Sequence, residues 1–140
     1  DVSSNRSNKS SSSCLFLSPS LWPEPSSSAA GVRTMSLLEQ FASSPTSTSL
    51  FDEVHYGSGA NMNKNPNTKA GVDVLQNMGI GIHPNLDPNN HAMMEDFLLR
   101  GSLGNKNRNR LGAVFFDRFH AEEAYSFHVR NFIPDAIRVL

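Results

Sequence analysis

The chain has 140 residues, 38% of them hydrophobic and only 18% charged, with a net charge of −1 and one cysteine. This balance leaves no basic footprint to neutralise a nucleic-acid backbone and no acidic solvating tail. A lone thiol excludes an intrachain disulfide, and excludes a zinc site unless histidines and carboxylates complete it. No apolar run approaches the ~20 residues of a membrane-spanning helix, so no integral span is expected.

Residues 1–34 are rich in serine, proline and asparagine, with runs at Ser10 to Ser13 and Ser26 to Ser28. Their apolar surface is too small to offset ordering costs of about 1–2 kcal/mol per residue, which predicts a disordered or leader-like arm. The brief run Cys14-Leu15-Phe16-Leu17 stops at Ser18-Pro19, too short for a secretory core segment. Cys14 itself reads as an unreactive thiol. Arg6, Lys9 and Arg33 outnumber the acids Asp1 and Glu24. Ser-rich, basic and acid-poor is also the composition of a transit peptide, which fits an intracellular chain directed to an organelle, with Met35 as an alternative initiator.

Residues 35–69 read as an irregular segment. Leu37, Leu38 and Phe41 share one face of a short helix that Ser43-Ser44-Pro45 stops. Ser49 to Tyr56 is a strand candidate with impure alternation: Leu50, Asp52, Val54 and Tyr56 on one side, Phe51, Glu53 and His55 on the other. Gly57 to Lys69 is a connector, in which Pro66 biases Asn65 towards extended backbone.

Residues 70–140 read as a small helical segment. Val72, Leu75 and Met78 recur every three residues before Gly79, a suitable helix stop. Ile80 to Ile82 is a brief extended piece. Asn90 caps a helix from His91 to Arg100 striped with Met93, Met94, Phe97 and Leu98. After a polar connector, Asn109 to Phe132 carries Leu111, Val114, Phe115, Phe119, Ala121, Tyr125, Val129 and Phe132 within one arc, which predicts a single long helix closed by Pro134. The expected fold is therefore mainly α in the C-terminal half, with two or three short helices, one short strand and a largely extended or disordered N-terminal arm.

No motif specifies an activity. Gly79-Ile80-Gly81 lacks the residues of a dinucleotide or phosphate-binding loop, and reads as a turn whose small residues allow close backbone packing. No Gly-x-Ser-x-Gly occurs, and His55, His83 and His91 have no nucleophile in evident reach, so neither an enzyme nor a cofactor is expected. His120, Glu123 and His128, with Asp117 nearby, are the residues that invite a metal, but one helix alone supplies too few ligands and no metal is expected. Lys106, Arg108 and Arg110 could contact a single-stranded nucleic acid, although the acids around them make this a secondary reading. The leading expectation is a non-enzymatic subunit that docks on other protein subunits through Phe115, Phe119, Tyr125 and Phe132, since aromatic anchors carry much interface energy.

Overall fold

The structure, a computed structural model, describes residues 12–24, 29–43, 51–63, 65–100, 110–117 and 119–139. Among these the chain alternates strand and helix. The strands are β1 (Ser12–Ser18), β2 (Glu53–Ser58), β3 (Gly81–His83), β4 (Arg110–Phe116) and β5 (Ile137–Val139). The helices are α1 (Ala29–Ser43), α2 (Pro66–Asn77), α3 (His91–Glu95), which runs on into a π-helical turn (Asp96–Arg100), and α4 (Phe119–Phe132). All five strands are parallel, in the order β3-β2-β1-β4-β5. This is an α/β fold, which corrects the mainly α expectation.

The largest correction concerns the serine-rich front. Its run Cys14-Leu15-Phe16-Leu17 is the middle of β1, the central strand, paired with β2 on one side and β4 on the other. A strand covered by helices on both faces needs no polar alternation, so four consecutive apolar residues suffice. Leu15 and Leu17 enter one core with Val114, Phe116, Tyr125 and Val129. Cys14 and Phe16 enter the other with Leu38, Tyr56, Val72 and Leu75. At about 1.5–3 kcal/mol for each large apolar side chain removed from water, this short run contributes what composition averaged over 34 residues conceals. The flanking Ser13 and Ser18 are buried as well. Residues 1–11 and 25–28 lie outside the described residues.

The second correction concerns the single long helix. Arg110 to Phe116 is strand β4, and the helix begins only at Phe119. The ladder skips Gly112, since Ser13 pairs with Leu111 and Cys14 with Ala113. This irregularity breaks the two-residue alternation and left a pattern that also fits a helical arc. Phe115 and Tyr125 consequently face opposite cores.

Several local signals operate as their chemistry requires. Asn65 is extended, caps α2 through Oδ1 to the Thr68 N–H (2.8 Å), and is followed by proline at the first helical position. Gly79 (φ 85°) follows the cap residue Met78. Asn90 caps α3 by accepting from the Met93 N–H at 3.0 Å. Among the described residues no helix is long and apolar enough to cross a membrane.

Candidate functional site

The strand order places a topological switch at β1 and β4. From β1 the chain steps outward to β2 and β3, then returns to the other side of β1 for β4 and β5. In open α/β sheets the connections diverge at such a point, leaving a crevice beyond the carboxyl ends of the strands where ligands bind.

Asp117 occupies this crevice. It is the residue after β4, and its N–H donates to the Leu17 carbonyl of β1 at 2.9 Å, so its backbone extends the central ladder by one rung. Its side chain is fixed from two further elements. Thr34 of α1 donates its hydroxyl to Oδ1 at 3.0 Å. Tyr56 of β2, fully buried, donates its phenol to Oδ2 at 2.5 Å. Hydroxyl-to-carboxylate bonds of this length are charge-assisted and stronger than neutral ones. The Tyr56 ring is itself held between Phe16 (centroids 6.2 Å apart) and Trp22 (5.6 Å).

Beside Asp117 lies a cleft of about 240 Å³. Arg33, Thr34 and Asp117 are its polar lining, and Phe16, Leu37, Phe115, Phe116 and Val139 its apolar lining. Phe115 stacks on Phe16 at 4.7 Å, a rigid flat floor. The loops at the strand ends are also fixed. Ser58 donates its hydroxyl to the Leu21 carbonyl at 2.7 Å, and Trp22 Nε1 donates to the Ala60 and Asn61 carbonyls at 3.2 and 3.1 Å. The Gly59 N–H donates to the Ser18 carbonyl at 3.0 Å. A Cβ on Gly59 would stand 2.0 Å from the Pro19 carbonyl oxygen, so only glycine permits this closure.

The residues singled out from sequence are scattered. His120 is exposed, 3.8 Å from Glu123, whereas His128 is buried and its Nε2 donates to the Pro88 carbonyl at 2.7 Å. The three do not converge, and among the described residues no group of three or more His, Cys, Asp or Glu is placed to hold a metal ion. Phe115 lines the cleft, Tyr125 is buried with its hydroxyl donating to the Leu86 carbonyl at 2.7 Å, and Phe132 lies against His128. The side chain of Phe119 lies outside the described residues. So do Lys106 and Arg108, and Arg110 is described only as the start of β4, opposite Ser12. In the sequence Asp117 stands out only as a companion to His120. Its signal was its position, one residue beyond an apolar strand, which became visible only once Arg110 to Phe116 was a strand.

Compared with protein-family models, curated proteins and solved structures, the chain matches none.

Proposed function

We propose that this chain is a small-ligand-binding α/β domain whose site is the crevice between the carboxyl ends of β1 and β4. The observation that carries the reading is Asp117, a carboxylate held by side chains of α1 and β2 in the lining of a largely apolar cleft. A group oriented in advance by its neighbours loses little freedom when a ligand arrives. The cleft suits a small molecule with a flat apolar body, a hydroxyl or amine that donates to Asp117, and an anionic group for the exposed guanidinium of Arg33.

The test is a ligand-observed and amide-observed NMR screen of small hydroxy and amino carboxylates and phosphates against the intact chain. Binders should shift the amides of Thr34, Phe115 and Asp117, and Arg33→Ala should weaken them about tenfold or more, the usual worth of one charged hydrogen bond. Absence of any shift at these residues with millimolar ligand would remove the reading.

A second reading, a non-enzymatic subunit of a larger assembly, is supported by two exposed apolar side chains, Ile137 (66% exposed) and Phe127 (55%). Exposed apolar surface of this kind marks interfaces when it is contiguous. Co-purification of a stoichiometric partner that is lost in Phe127→Ser or Ile137→Ser would favour it over the ligand site.

A further inference from the structure

A chain of three ionisable side chains lies across the β2–β3 edge, away from the crevice. Glu53 Oε1 and His55 Nε2 are 3.0 Å apart, and His55 Nδ1 and His83 Nε2 are also 3.0 Å apart. The parallel register brings them together, pairing His55 with Gly81 and Gly57 with His83. Gly81 makes the room: a Cβ there would stand 2.5 Å from His55 Nδ1, the atom that meets His83.

The hydrogen-bond inventory fixes where the protons sit. A carboxylate only accepts, so His55 Nε2 carries a proton and donates to Glu53. Neutral His55 then accepts at Nδ1 from His83 Nε2–H. With one added proton the pair keeps its hydrogen bond, one ring donating and the other accepting. Adding a second leaves two N–H groups facing each other across 3.0 Å, which cannot persist.

We propose that the His55–His83 pair is an acid-sensitive latch: it holds edge strand β3 onto β2 while the two rings share a hydrogen bond, and releases it when both rings are protonated. The strand it holds is three residues long and at the sheet edge, so only a short ladder to β2 holds it besides this contact and the packing of Ile82. Burial first, and then the facing His55, hold His83 down from 6.5 to about 4. A base depressed on folding contributes stability that is complete above pH 6.5 and is lost as pH falls towards 4.

Among the described residues, the charged groups on the packed elements other than Glu53 are paired elsewhere or exposed. Glu53 is the partner on β2. From the π turn, Phe97 packs its ring edge on His83, while Arg100 of the same turn pairs with Glu95 and Asp96 at the surface. Lys69 and Asp73 of α2 are exposed, and α2 packs on β3 through the opposite core. Asp87, in the loop beyond β3, acts on Tyr125.

The experiment follows hydrogen exchange and imidazole NMR on the intact chain from pH 8 to 4. Protection factors of the Gly81–His83 amides should fall about tenfold or more between pH 6.5 and 4.5 while those of β1 hold. His83→Gln, which still donates to His55 but does not titrate, should reduce that fall to less than about twofold. Should that variant not fold, the wild-type titration decides: His83 must protonate below about pH 5.5, together with the loss of β3 protection. A His83 that titrates near its ordinary value with β3 still protected overturns the latch. So does unchanged acid opening in His83→Gln, and so does displacement of both ring resonances by one equivalent of Zn²⁺ at neutral pH, which would make the pair a metal site.

Discussion

Asp117 accepts two side-chain hydrogen bonds, from Thr34 and from Tyr56, and variants at its own position and at Tyr56 remove different numbers of them. Tyr56→Phe removes a donor and leaves an acceptor that water can reach, at about 1 kcal/mol. Asp117→Ala removes the acceptor of both Thr34 and Tyr56, so urea unfolding should rank it the more damaging of the two. Cys14 tests the same region chemically. Burial pushes its thiol up to about 12, so a disulfide reagent at pH 8 should react with it only after denaturant is added. Rapid reaction with the native protein would place Cys14 outside the sheet. The sequence supplied both residues but not their roles. Asp117 draws its meaning from Thr34, 83 positions away, and from Tyr56, 61 positions away.

At the level of elements, what was legible followed from short-range chemistry. Gly79 behind Met78 and the Asn90 cap each act within four residues and mark a helix end where it was expected, whereas Pro66 behind Asn65 opens α2 inside the stretch expected to be a connector. What was not legible depended on burial on two sides. A strand of four apolar residues among serines looks like a remnant until helices cover both its faces, and β4 looks like a helix because Gly112 breaks its alternation. A substitution pair separates the two views of residues 1–34. Leu15→Ala, in the core of β1, should cost about 2–5 kcal/mol, whereas Phe127→Ala on the exposed side of α4 should change stability by no more than about 0.5 kcal/mol. Gly59→Ala belongs with the first, since its Cβ would collide with the Pro19 carbonyl and part the loops that follow β1 and β2. A cost of about 1–3 kcal/mol in a chemical denaturation curve is expected.

Across the molecule, the two halves of the chain are parts of one sheet. The front supplies its middle strand and the back supplies β4, and the crevice exists only because the two meet. A reading of the chain as arm plus helical tail divides it along the line where the structure is most tightly joined. The Ser18 carbonyl accepts from Gly59, and the Leu17 carbonyl from Asp117. The most direct measurement is native hydrogen exchange on the purified intact chain. The amides of Cys14 to Leu17 should be protected to the same degree as those of Ala113 to Phe116, because neither strand can open without the other. Exchange of Cys14 to Leu17 at the rate of an unfolded peptide, with α4 still protected, would contradict the fold and remove the crevice with it.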